Sequence, residues 1–256
     1  MTPRETFIAA LERKPPTGRV PHFELEFFLT MEAFGRVHPA HRHYAQWDQM
    51  SAGERALHRR DIADLHLAVA RRYEQAGLLF HSPGGWAEDD VRTSIDILRS
   101  LAGLEFLVGL QGDATYSLPD GDHVMAFVER LADEPEKVKD EARRRVDVRL
   151  ARAERIKTWG TVDAFFLCAD YCFNDGPFLS PAMFEDFVAP YLRELIAGYR
   201  EMGFHVIKHT DGNIMPILDT LVEANPHALH SLDPQGGVDM AEVKRLVGDR
   251  VCLIGN

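Results

Sequence analysis

The stretch Phe204-His205-Val206-Ile207-Lys208-His209-Thr210-Asp211-Gly212-Asn213 reads as a short buried strand that ends in polar residues and breaks at a glycine. Strand alternation puts His209 and Asp211 on one face and Lys208 and Thr210 on the other. Backbone positions two apart on a strand are roughly 6.5–7 Å apart, so both side chains can converge on one ion or substrate atom. Gly212 permits a sharp exit, and Asn213 is placed to cap a helix beginning at Ile214. The stretch is thus one strand-to-helix unit with chemistry at the strand's carboxyl end.

The same unit recurs in both directions. Downstream, a helix through Ile217, Leu218 and Leu221 leads to a strand over 228–233, then Pro234-Gln235-Gly236-Gly237 and a helix capped by Asp239. Val251 to Asn256 reads as one more strand. Upstream, Ser180-Pro181 opens a helix with serine at the N-cap and proline at the first helical position. Phe184, Phe187, Val188, Tyr191, Leu192, Leu195, Ile196 and Tyr199 keep helical spacing, and Pro190 within them predicts a kink. Before it lie the apolar strand 163–170 and a loop over 171–179 with the turn Asn174-Asp175-Gly176-Pro177.

Further upstream, strands are expected over 78–81 and 104–110, the latter followed by the loop Gln111-Gly112-Asp113. Helices are expected over 59–76, 89–101, from Val124, and over 135–159. An opening helix through Phe7, Ile8 and Leu11 stops at Pro15-Pro16, and residues 35–49, rich in histidine, read as a loop. Arg19 to Phe28 alternates strictly, with Phe23, Leu25 and Phe27 on one face and His22, Glu24 and Glu26 on the other, as a strand would.

Seven strands, each but the last followed by helix, predict a parallel sheet, and at this length a (β/α)8 TIM-barrel type leads over an open doubly wound sheet. Residues 1–256 are expected to form a single domain with the eighth strand and helix missing. A truncated barrel, an edge supplied by a partner, or a sequence cut short at its carboxyl end would each account for that. Polar residues gather at the carboxyl ends of the strands, where barrel enzymes build their sites. Glu24, Glu26, His81 and Asp170 are the catalytic candidates. Gln111, Asp113, Asn174, Asp233 and Asn256 are the substrate-binding candidates, and His209 and Asp211 the metal ligands.

Composition narrows the class. The 256 residues are 45% hydrophobic and 27% charged, as in an ordinary globular protein, and the net charge of -11 argues against nucleic acid as a partner. Arg143, Arg144, Arg145, Arg149, Arg152 and Arg155, interleaved with Asp147 and Glu154 at helical spacing, read as a solvated helix face. No apolar run reaches a membrane span, and the first residues carry no signal-peptide pattern. Cys168, Cys172 and Cys252 make no disulfide framework, so free thiols and a cytoplasmic location are expected.

Asp170 with Leu179-Ser180-Pro181, Phe184, Phe187 and Ala189-Pro190-Tyr191 resembles the fourth-strand and helix signature of the uroporphyrinogen decarboxylase superfamily. His209-Thr210-Asp211-Gly212-Asn213 resembles its fifth-strand motif, and Ser231-Leu232-Asp233 and Leu253-Ile254-Gly255-Asn256 its sixth and seventh strands. The resemblance implies a (β/α)8 barrel and either of two activities. One is zinc-dependent methyl transfer between a corrinoid protein or a methylated substrate and a thiol. The other is decarboxylation of uroporphyrinogen in porphyrin and haem biosynthesis.

The methyltransferase branch holds zinc with a strand-end His-x-Cys and a later cysteine; here the motif is His209 and Asp211, with Glu24, Glu26 or Cys172 as further ligand candidates. The decarboxylase proper carries an arginine pair after its first strand, where this chain has only Arg36, and an aspartate after its second, where this chain has His81-Ser82. The expected cofactors are zinc and a partner-borne corrinoid. The expected partners are a small-molecule substrate, a corrinoid protein and a second copy of the chain in a homodimer. A non-catalytic, incomplete barrel that only binds a ligand is the remaining alternative.

Overall fold

The computed structural model describes residues 1–15 and 18–255 of the chain, so Asn256 and the expected helix stop at Pro16 lie outside the described residues. The chain forms two compact units. One comprises Met1–Ala10, Lys14–Leu110 and Trp159–Asp163, the other Leu11–Arg13, Gln111–Thr158 and Ala164–Asn256.

The first unit holds helices α1 (Pro3–Leu11), α2 (Thr30–Phe34), α3 (Ala52–Arg72) and α4 (Glu88–Ala102), with strands β1 (Gly77–Leu79) and β2 (Leu107–Gln111). Helix α3 starts earlier than its apolar spacing suggests because Ser51 and Glu54 form a reciprocal capping box, which satisfies two amides the helix cannot. Strands β1 and β2 pair in parallel with Gly77 opposite Leu107. Asp163 ties the unit together. Its carboxylate accepts from Arg4 at 2.7 Å, from Arg99 at 2.6 Å and from the Val108 amide at 2.8 Å.

Residues 19–28 keep their alternation, with Phe23 buried and Glu24 and Glu26 exposed, but they form no strand. The His22 carbonyl accepts from the Ala76 amide at 2.7 Å, a single bond where a ladder needs several. The first expected strand is therefore an extended segment. Among the described residues six strands run parallel, two in this unit and four in the other.

The second unit contains α5 (Val124–Asp133), α6 (Pro135–Lys157), β3 (Ala164–Leu167), β4 (Cys172–Phe173), β5 (Gly176–Pro177), α7 (Pro181–Phe187), α8 (Ala189–Glu201), β6 (His205–His209), α9 (Leu218–Glu223), β7 (Ala228–His230), α10 (Met240–Val247) and β8 (Cys252–Leu253). Strands β3, β6, β7 and β8 are parallel neighbours in that order. Strands β4 and β5 form a small antiparallel hairpin in the segment read as loop.

The long helix after Ser180 breaks at Val188 (φ -124°, ψ -52°), two residues before Pro190, whose ring and missing N–H interrupt the preceding turn. Ser180 caps α7 by accepting from the Met183 amide at 3.3 Å. Replacing Ser180 by alanine is expected to cost about 1 kcal/mol, read as a lower urea midpoint at unchanged slope.

The two faces of this sheet differ. Phe165 stacks on Tyr199 of α8 at 4.2 Å, so its face lies against the helix layer. Leu167 shares that face and sits in register with Lys208, which places the lysine beneath the helices and His209 on the opposite face.

Candidate metal centre

Asp170 follows β3, and His209 and Asp211 stand at and just beyond the end of β6. His209 is buried, with its Nε2 3.5 Å from Asp170 Oδ1 and 3.8 Å from Asp211 Oδ2. One ligand atom from each of the three lies within 4.8 Å of the others. The Asp211 amide donates to Asp170 Oδ1 at 3.0 Å, and the Ser231 hydroxyl donates to Asp211 Oδ1, so both carboxylates are oriented from behind.

His230, in register with His209 on β7, puts its Nδ1 2.8 Å from His209 Nδ1. That pairing turns the Nε2 edge of His209 toward the carboxylates. Burial, then the neighbouring His209, lowers the pKa of His230 to about 4 despite Asp211, so His230 stays neutral above that pH.

The loops that carry these residues can meet only because two positions are glycine. A Cβ on Gly236 would lie 2.4 Å from the Gly212 backbone, and one on Gly212 (φ +80°) would lie 2.6 Å from the Phe173 carbonyl. Asp233 accepts from the Gln235 amide at 2.8 Å and from the Gly212 amide at 3.2 Å. It caps the turn Pro234–Gly236 and fastens the loop after β6, so its carboxylate is committed to the fold instead of a substrate.

The other expected binding residues are also redistributed. Both oxygens of Asp113 accept internally, from Thr115, from the Ala169 amide and from Lys208. Asn174 is exposed at the tip of the β4–β5 hairpin as a turn residue. Gln111 ends β2 with an exposed side chain and gives its carbonyl to Arg152. Cys172 is buried, which pushes its thiol up to about 12 and keeps it protonated at neutral pH.

His81 belongs to a different cluster, in the first unit. Its amide donates to His66 Nε2 at 3.0 Å, and its own Nε2 lies 2.9 Å from the Leu25 carbonyl. His66 must carry its proton on Nδ1, 2.8 Å from the Ile62 carbonyl, to keep Nε2 as an acceptor. His38 packs on His81 with ring centres 4.9 Å apart. Glu24 and the three histidines border a cavity of about 30 Å³, and burial lowers the His81 pKa more than the Leu25 carbonyl and Glu26 raise it.

Burial, the largest cause, lowers His66 to about 3 and His38 to about 4. A histidine held below its unfolded value of about 6.5 binds fewer protons folded than unfolded. Its contribution to stability is therefore complete above pH 6.5 and is lost as pH falls toward 3–4. Unfolding midpoints are expected to drop steadily from pH 7 to pH 4.5, and a His66→Gln variant to show a shallower dependence. Equal slopes in the two proteins would contradict this assignment.

His66, His230 and Ser231 were not among the sequence candidates. His230 had a readable signal, since it ends a strand as His209 does. His66 had none, because a histidine within an amphipathic helix shows its hydrogen bonds only once the helix is packed.

The chain has the β/α class that the strand pattern predicts, and the likeness to solved structures extends over all of it. A methyltransferase from Methanosarcina mazei matches with a TM-score of 0.70 at 16% sequence identity, covering 100% of this chain and 83% of that one. Residues 163–256 match the uroporphyrinogen decarboxylase (URO-D) family model, and this is the part that holds Asp170, His209, Asp211 and Asp233. The expected resemblance is borne out in that segment. No curated protein sequence matches the chain. Among the described residues no helix is long and apolar enough to cross a membrane.

Proposed function

We propose that the chain is a metal-dependent methyltransferase that passes a methyl group to a thiol acceptor, with Asp170, His209 and Asp211 as the metal ligands. The convergence of one imidazole and two carboxylates within 4.8 Å carries this reading. Zinc bonds of about 2.0–2.2 Å in a tetrahedral shell put neighbouring donors roughly 3.3–3.5 Å apart. The His209 separations of 3.5 and 3.8 Å are within a few tenths of that spacing, and the two carboxylates, within 4.8 Å of each other, would close in on a bound ion. Zinc bound there would act as a Lewis acid that favours the thiolate form of an acceptor.

The chain's own residues supply the rest. His230 holds the His209 ring in one orientation, Ser231 does the same for Asp211, and Asp170 takes the Asp211 amide so that the two loops stay together. The oxygen-rich set lacks the thiolates of the resembled branch and leaves more positive charge on the ion, which suits activation of an incoming thiol. A corrinoid protein as methyl donor, a homodimeric assembly and a cytoplasmic location complete the proposal.

The match of residues 163–256 to the URO-D family favours a second reading, uroporphyrinogen decarboxylation. Against it, the segment from Glu24 to Val37 offers only Arg36 to the carboxylates of such a substrate, and Arg36 already faces Asp61 at 3.4 Å. Zinc content of the purified protein, methylation of a thiol from methylcobalamin, and coproporphyrinogen formation separate the readings. Bound zinc and methyl transfer that both fail in His209→Ala support the first; coproporphyrinogen formation without zinc overturns it.

A further inference from the structure

Many arginines in this chain are paired: Arg4, Arg42, Arg59, Arg99, Arg130 and Arg193 each face a carboxylate. Three on helix α6 are not. No ion pair among the described residues includes Arg144, Arg145 or Arg149, although all three line one groove of about 590 Å³ with Asp113, Ala114, Thr115 and Val148. Asp113 adds little negative charge there, since its carboxylate is enclosed and paired with Lys208.

Each guanidinium is nonetheless held in place. Arg149 Nε donates to the Asp113 carbonyl at 3.1 Å, Arg144 Nε donates to the Asp140 carbonyl at 3.1 Å, and Arg145 lies 4.5 Å from the centre of the Tyr116 ring. These contacts use the Nε atoms or the flat face of side chains that line the groove, not the terminal N–H groups. Arg145 and Arg149, four residues apart on one helix, also repel each other, which works against the helix while the groove holds no anion. Arg145 is near enough to Glu141 to help lower that carboxyl's pKa, but none of the three forms an ion pair, and three such forks around one concavity are an arrangement that recognises phosphate or clustered carboxylate oxygens.

We propose that this groove binds a small polyanion carrying phosphate or carboxylate groups, at a site separate from the Asp170–His209–Asp211 centre. The volume suits a small molecule, and the local cluster of arginines supplies the attraction for anions that the net charge of -11 opposes elsewhere. The arginine run that reads as a solvated face in the sequence is, at these three positions, a binding surface.

Titration calorimetry with sodium pyrophosphate, and separately with citrate, tests this against sodium chloride of matched ionic strength. One saturable site is expected for at least one of the two probes, and the tighter probe identifies the anion class. Arg149→Lys keeps the charge but loses the fork, and Arg144→Gln loses the charge. Each is expected to weaken binding about 10-fold, while Arg144→Gln without ligand melts at or above the wild-type temperature. Heats no larger than the chloride control, or equal affinity in wild type and both variants, would overturn the proposal.

Discussion

Replacing Lys208 by methionine is expected to cost the fold about 3–5 kcal/mol, the usual loss when one partner of a buried ion pair is removed. The Lys208 side chain is fully enclosed, and that of Asp113 is 11% exposed. The ammonium donates to Asp113 Oδ2 at 3.1 Å and to the carbonyls of Leu167 and Ala169 at 3.2 and 2.8 Å, so its three protons are used. It also stands 4.1 Å from the centre of the Tyr171 ring.

Burial alone would raise the Asp113 carboxyl, but Lys208, Thr115 and the Ala169 amide outweigh it and hold the group below its ordinary value. Methionine keeps the volume of the lysine stem and deletes the charge, leaving a buried carboxylate and two carbonyls without their donor. Urea unfolding of Lys208→Met, Asp113→Leu and the double variant measures the coupling. The double variant is expected to recover a large part of the loss, whereas a single-variant cost under 1 kcal/mol would show that the pair is not what holds these loops.

His209→Ala is expected to lower zinc affinity by more than 100-fold and to reduce methyl transfer in step with metal loss. Removing an oriented partner behind a ligand typically costs 10–100-fold, and His209 is proposed as a ligand itself. The remaining Asp170 and Asp211 are half-buried and exposed, and two carboxylates at a water-facing edge hold zinc weakly. Ser231→Ala, which only frees one side of Asp211, is expected to cost about 10-fold. Competition with a chromophoric chelator gives both values, and unchanged affinity in His209→Ala would place the metal elsewhere.

Much of this arrangement was legible in the linear chain. The apolar run at 164–167, the short strand at 205–209 that ends in polar residues, the serine cap at 180, the interruption near Pro190 and the cap at Asp239 each rest on local physics that the residue order contains. His209 and Asp211 were found by period-two alternation, and Asp170 by its position just past a strand. The extended segment over 19–28 shows where that reasoning stops. Alternation describes which side of a chain is apolar, and only the partner backbone decides whether an extended segment becomes a strand.

Two of the substrate candidates show a related limit. Asp113 and Asp233 sit after strands as ligand-binding carboxylates do, yet each is used by amides that belong to distant loops. A side chain's type and place in the order do not reveal whether its hydrogen-bonding capacity is already spent, because the donors that spend it come from elsewhere in the sequence.

By itself the sequence determined the β/α alternation, the strand ends that carry polar groups and the His-x-Asp motif, since these follow from periodicity and capping between near neighbours. Only the tertiary structure decided that Lys208 neutralises Asp113, that His230 and Ser231 orient the candidate metal ligands, and that three arginines of α6 share one groove. Those outcomes depend on parallel register and on contacts tens of residues apart along the chain, where local propensity carries no information.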